Sequence, residues 1–191
     1  MTVTRRQILF TGVAGAATMA AMPALTPLHA QETVDTDVLM QSGPLGDKTA
    51  GDPDAPVTIV EYASMTCTHC ASFHKDVYPA LKEEYIDTGK VYFVFREFPL
   101  DPVATAAFML ARRVPESQYF TFVSAMFKNQ DIWAFTDDRI GGLTKMAKQA
   151  GLTQEKFDQC LTNQELLDGV NWVKQRGAET GPLDGLQILL G

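Results

Sequence analysis

The passage from Val57 to Phe95 constrains what this chain can fold into more than any other part of it. Val57-Thr58-Ile59-Val60-Glu61-Tyr62 is a β-branched and aromatic run that starts directly after Pro56, the pattern of a buried strand. Ser64-Met65-Thr66 is a brief loop. From Cys67 to about Thr88, apolar and charged residues alternate at helical spacing. Phe73, Val77, Leu81 and Tyr85 fall on one side, with a kink expected at Pro79 and a stop at Gly89. Val91-Tyr92-Phe93-Val94-Phe95 is a second apolar strand, closed by the turn region Arg96-Glu97-Phe98-Pro99. Strand, helix and strand in so short a span fold as a right-handed βαβ unit with parallel strands. Cys67 and Cys70 thus sit where the chain leaves a sheet and enters a helix.

Around this unit the chain divides simply. Residues 31–56 are polar and turn-rich, without sustained periodicity, and read as linker and lead-in; residues 57–191 form the domain. From about 103 to 177 there is no strand-like run, only helical ones: Val103–Val114, Ser117–Phe127, Asp138–Ala150, Gln154–Leu161 and Gln164–Arg176. This is a helical insertion, with N-caps at Thr136-Asp137-Asp138 and at Thr153 and a stop at Gly151. A length of 191 residues, 46% of them hydrophobic, suffices for one core.

The first 30 residues read as an export signal to be cleaved after Ala30: Thr4-Arg5-Arg6-Gln7-Ile8-Leu9, an apolar Gly/Ala-rich stretch to about Met22, then Leu28-His29-Ala30. The paired arginines are similar to a twin-arginine signal, although Ile8 stands where that pattern prefers Phe and no Lys follows; Sec export is the alternative. The stretch is short and mildly apolar, with Pro23 and Pro27 behind it, which argues against a stable membrane anchor. Either route leads to the periplasm, an oxidising compartment. The formal charge is −7, and the leader carries Arg5 and Arg6 but no acid, so the mature chain is more acidic still, which argues against nucleic acid as a partner.

Two cysteines separated by two residues at a strand-to-helix step put the first sulfur at a helix N-terminus. Free backbone N–H groups and the positive end of the dipole there favour thiolate over thiol. Cys70 lies about one turn further on and can close a disulfide with Cys67. His69 adds a dipole beside the sulfurs. A stabilised thiolate leaves readily, so the disulfide form is an oxidant. The chemistry needs no cofactor and no metal. A zinc site on Cys67, Cys70 and His74 would lack a second cysteine pair, and a purely structural disulfide would close too small a loop to gain much chain entropy.

The run Asp52-Pro53-Asp54-Ala55-Pro56-Val57-Thr58-Ile59-Val60-Glu61-Tyr62-Ala63-Ser64-Met65-Thr66-Cys67-Thr68-His69-Cys70, followed by Phe93-Val94-Phe95-Arg96-Glu97-Phe98-Pro99-Leu100-Asp101, resembles the DsbA-like thioredoxin family over about residues 52–176. The resemblance implies an α/β, thioredoxin-like fold with an inserted helical subdomain. It implies Cys67 as exposed nucleophile, Cys70 as buried resolving cysteine, and Thr68 and His69 as the dipeptide that sets the potential, Thr68 standing where Pro is frequent. It implies that Glu61 lies beneath the cysteines and accepts the proton of Cys70, the alternative being a strand-end carboxylate that reaches solvent. Its partners are unfolded exported proteins with free thiols and a membrane quinone-linked thiol oxidase. An isomerase or reductase of the same fold, and a non-catalytic chaperone or binding module, are the other readings.

Cys160 reads as a buried, inert thiol, and His74 with the aromatic positions as core or groove wall. After the last helix no Thr-Pro or Val-Pro pair follows. Pro182, preceded by Gly181 and followed by no strand long enough to be its partner, does not read as a cis-proline. The expectation is an incomplete C-terminal part of the sheet, lacking its cis-Pro loop and final hairpin, in a product truncated near Thr180 and less stable for it.

Overall fold

The computed structural model describes residues 36–179 and 187–190, all within one unit, Val34–Gly191. Strand β1 (Lys48–Ala50) precedes β2 (Val57–Ala63) and β3 (Val91–Glu97), and β4 (Gln187–Leu190) follows the helices; the sheet order is β1-β3-β2-β4. β2 and β3 pair in parallel, Ile59 opposite Phe93 and Glu61 opposite Phe95, as a βαβ unit demands. Side chains alternate across β2 with the period of two that a strand imposes. Ile59 and Ala63 join the large core beneath the helices, whereas Val60 and Tyr62 pack with Val94, Phe98 and Leu39 on the opposite face. Both faces are covered, so β2 reads as a continuous apolar run with one acid in it.

The segment between the parallel strands is broken where one kinked helix was expected. α1 (Thr36–Leu39) precedes the sheet; α2 (Thr68–Asp76) ends at Val77, α3 (Tyr78–Leu81) restarts with Pro79 in its first turn, and a π-helical turn covers Lys82–Ile86. Proline lacks the N–H that would continue the ladder, and the break turns the apolar face. Val77 and Tyr85 are consequently about half exposed, while Tyr78 and Ile86 are buried in their place. Gly89 and Gly151 stop their helices in the left-handed region, at φ of 74° and 82°.

The insertion comprises α4 (Pro102–Ala111), α5 (Tyr119–Lys128), α6 (Gln130–Trp133), α7 (Arg139–Gln149), α8 (Gln154–Leu161) and α9 (Gln164–Glu179). Asp138 and Thr153 cap α7 and α8 as read from the sequence. The short α6 was not foreseen, because four residues carry no periodicity of their own. Among the described residues no helix is long and apolar enough to cross a membrane.

Three further expectations are corrected. The lead-in is not mere linker: β1 pairs antiparallel with β3, and α1 packs Leu39 on the sheet. Arg96 and Glu97 are not a turn but the last rungs of β3, since each buried charge has a partner. Arg96 pairs with Asp47 at 3.0 Å and donates to the Tyr62 hydroxyl at 2.8 Å; Glu97 takes Arg112 at 2.6 and 2.8 Å and the Tyr119 hydroxyl at 2.8 Å. Finally, β2 does not end the sheet. A four-residue strand does follow Pro182: β4 runs antiparallel along β2 from Ile59 to Tyr62, and backbone pairing gives so short an apolar run a place that its sequence alone does not announce. One strand beyond β2, rather than a hairpin, lies among the described residues; Pro182 and the leader lie outside them.

Arg112 also donates to the carbonyls of Leu45 and Gly46, at 2.6 and 3.0 Å, so a single guanidinium joins insertion, sheet and lead-in. Glu97→Ala leaves that buried cation uncompensated and is expected to cost about 3–5 kcal/mol in denaturant unfolding. A loss under about 1 kcal/mol would show the clamp to be dispensable.

Candidate functional site

The site is built on the four residues between β2 and α2, Ser64 to Cys67. Phe98 N–H donates to Ala63 O at 2.8 Å, the last backbone tie before the chain leaves the sheet. The turn then closes on itself: Cys67 N–H donates to Ser64 O at 3.0 Å, and Leu100 N–H to Ser64 Oγ at 3.2 Å. Thr66 Oγ1 donates to Asp101 Oδ2 at 2.6 Å, while the other carboxylate oxygen of Asp101 caps α4 through the N–H groups of Val103 and Ala104. The buried amide of Gln130, on α6, donates to both Met65 O and Cys67 O, at 2.8 and 2.9 Å. Sheet, α4 and α6 therefore hold one loop.

That loop delivers Cys67 as the N-cap of α2, with extended backbone (φ −81°, ψ 123°) and its Sγ accepting the N–H of Cys70 at 3.4 Å. Both cysteines are thiols in the structure. Cys70 is 0% exposed and Cys67 8%, so the exposed nucleophile of the resemblance is exposed only relative to its partner; Gln130 and the loop close around it. Thr68 and His69 stand in solvent at the mouth. Burial above all, then the hydrogen bond with Cys67 and the charges of Cys67 and Glu61, push the Cys70 thiol well up, against a smaller opposing effect of the Ser64 backbone.

Glu61 faces the same side of the sheet as α2 and is fully buried, which removes the alternative of a carboxylate reaching solvent. Burial raises its pKa, and a hydrogen bond and charge from His74 pull the other way. His74 Nε2 lies 3.1 and 3.0 Å from the two carboxylate oxygens. Its ring stacks on Phe127 at 4.4 Å and lies against Tyr78, Phe73 and Phe95. Sequence reasoning assigned His74 to core or groove wall and missed this pairing. The signal was present: Cys70 and His74 are four residues apart on one helix and so share its inward face. Gln130 left no comparable signal, because the helix that aims it is a single turn. Cys160 is buried on α8, its thiol pushed up by burial to about 11, and lies 90 residues beyond Cys70 in the chain.

A thioredoxin family model matches residues 45–182. The crystal structure of α-DsbA1 from Wolbachia pipientis superposes with a TM-score of 0.74 at 34% identity, covering 82% of this chain and 79% of that one. Oxidised BdbD from Bacillus subtilis gives a TM-score of 0.65 at 21% identity over 75% of this chain and 80% of that one, a likeness of fold. A Rickettsia typhi protein named "Putative protein-disulfide oxidoreductase" is 34% identical over 123 residues, 64% of this chain and 46% of its own length. The chain thus spans about half the length of such curated relatives.

Because the folded state holds the Glu61 proton more tightly than the unfolded chain does, stability attached to this group is complete below its ordinary value of 4.5 and is lost as pH rises toward the raised value. Glu61→Gln, which keeps an acceptor for His74, is expected to flatten that decline and to gain on the order of 1 kcal/mol at neutral pH. Parallel pH–stability curves for the two proteins would refute the assignment.

Proposed function

This chain belongs to the DsbA-like thioredoxin family, and on that footing we propose that it is a thiol–disulfide oxidoreductase acting as an oxidase of exported proteins. One observation carries the reading: a cysteine whose sulfur caps a helix and accepts the N–H of a second, fully buried cysteine. Cys67 Sγ sits at the helix start and accepts the Cys70 N–H, while burial disfavours negative charge on Cys70. The two sulfurs are therefore unequal, as a directional exchange needs.

In the disulfide form, a substrate thiolate attacks Cys67 Sγ. The Cys67–Cys70 bond breaks, a mixed disulfide forms at Cys67, and Cys70 leaves as a thiolate that takes up a proton. A second thiolate of the substrate then attacks the substrate's own sulfur in the mixed disulfide. Cys67 departs as a thiolate at the helix start, the substrate is oxidised by two electrons, and the enzyme is left reduced. Glu61 is the proton donor to Cys70, and Thr68 and His69, exposed beside the sulfurs, set the potential. Gln130 holds the carbonyls on either side of Thr66 and so keeps Cys67 at the cap.

The paired arginines and apolar stretch of the first 30 residues support delivery to the periplasm, where unfolded exported proteins with free thiols are the clients and a membrane quinone-linked thiol oxidase restores the disulfide. Equilibration with glutathione is expected to place the Cys67–Cys70 couple above about −200 mV; a value near about −270 mV, that of thioredoxin, would reverse the direction. Cys67→Ala is expected to abolish oxidation of a reduced unfolded protein, and Cys70→Ala to accumulate mixed disulfides on non-reducing gels. A Cys67→Ala protein of full activity would sink the reading.

A further inference from the structure

Proton transfer at Cys70 needs a way out. Cys70 and Glu61 are both 0% exposed, so a proton exchanged between them cannot reach water from either. The hydrogen-bond partner of the Glu61 carboxylate among the described residues is His74, through Nε2. The other ring nitrogen, Nδ1, is buried and has no hydrogen-bond partner among the described residues. The ring it belongs to lines a cavity of about 420 Å³ between α2, α3 and α5. Lys75, Pro79, Thr121 and Lys128 on the cavity wall are exposed, so the cavity opens to solvent. A buried imidazole with one nitrogen on a buried acid and the other unpartnered, in a ring that lines a solvent-open cavity, is arranged as a bridge between the two.

We propose that His74 is a proton-passing, positioning residue that connects Glu61, and through it Cys70, to water in this cavity; the proposal rests on the oxidoreductase reading above. On reduction of the enzyme, the departing Cys70 thiolate takes the proton of the Glu61 carboxyl group, leaving a carboxylate that accepts the Nε2–H of His74. Nδ1 then takes a proton from cavity water as Nε2 passes its own to Glu61. The carboxyl group is restored, now donating to a bare Nε2, and the ring carries its proton on Nδ1. Reoxidation runs the same steps backward: Nδ1 gives its proton to the cavity, Nε2 takes that of Glu61, and the carboxylate takes the proton of Cys70. One proton enters per reduction and one leaves per reoxidation, and the tautomer resets without a ring flip. That matters because the ring is held by stacking on Phe127.

The charged and titratable groups around the ring are Glu61 from β2, Cys70 and Lys75 from α2, Tyr78 from α3, Lys82 from the π-helical turn and Lys128 from α5. Lys82 is held by Asp87, at 2.5 and 2.7 Å, and the Tyr78 hydroxyl is pushed up by burial, with the charges of Glu61 and Asp87 adding to it, so neither replaces His74 near neutral pH.

The test follows the step in which Cys70 must lose its proton. The reduced full chain is mixed with oxidised glutathione, and release of the second glutathione from Cys67 by Cys70 is timed across pH. Alkylation of Cys67 by iodoacetamide serves as a step that does not involve Cys70. His74→Gln keeps an N–H donor for Glu61 but cannot pass a proton through itself. It is expected to slow the Cys70 step about a hundredfold at neutral pH, with a steeper rise toward alkaline pH and an unchanged alkylation rate. His74→Ala is expected to be equally slow and to recover with added imidazole, which the enlarged cavity admits, whereas His74→Phe stays slow with or without it.

A Gln variant at the parental rate, or an Ala variant that imidazole leaves slow, overturns the relay. Should circular dichroism show either to be unfolded, His74→Phe, which keeps the stack on Phe127, decides alone, and the parental rate in it is fatal. Failure of the oxidoreductase reading is distinguishable, because the parent protein would then form no Cys67–Cys70 disulfide at all.

Discussion

The parallel pairing of β2 with β3 is the constraint on which the rest hangs. It fixes the height at which the chain leaves the sheet, the side to which Glu61 points, and the place where the connecting helix begins. A cysteine at position 67 is a helix cap only because Ala63 is still tied to Phe98 four residues before it. Asp101 then caps α4 and accepts from Thr66 with one carboxylate, so the start of the insertion and the active loop share a single anchor. Gln130 adds a second from α6. The helical insertion is thus part of the site's support.

Buried charge is handled in two ways across the sheet. Arg96 with Asp47, and Glu97 with Arg112, are closely hydrogen-bonded ion pairs that join elements distant in sequence. Removing one member leaves the other stranded, which is why such pairs fix an arrangement more than they stabilise it. Glu61 is different. Its partner is a histidine, whose ring can both give and take a proton, and its own charge bears on a thiol rather than on another fixed ion. The first kind of pair is suited to holding, and the second to exchange.

The cysteine pair, its place at a strand-to-helix step, the parallel βαβ unit and the boundaries of most insertion helices were legible in the residues, since each depends on neighbours within about one helical turn or one strand. Asp138, Thr153, Gly89 and Gly151 marked their helix ends through local backbone chemistry. Arg96 and Glu97 misled, because a charge after an apolar run resembles a turn until its partner is known. Those partners, Asp47 and Arg112, lie 49 and 15 residues away.

What the sequence determined by itself is the local chemistry: two cysteines at a helix start, and an acid in the strand below them. What tertiary structure alone decided is which groups those residues meet. It brought His74 to Glu61 and Gln130 to the carbonyls beside Cys67, laid β4 against the free edge of β2, and turned the lead-in into an edge strand. The reason is physical: local conformation follows from backbone sterics and side chains within a few positions, whereas burial, and with it the proton affinity of Glu61 and Cys70, depends on segments that only the folded chain brings together.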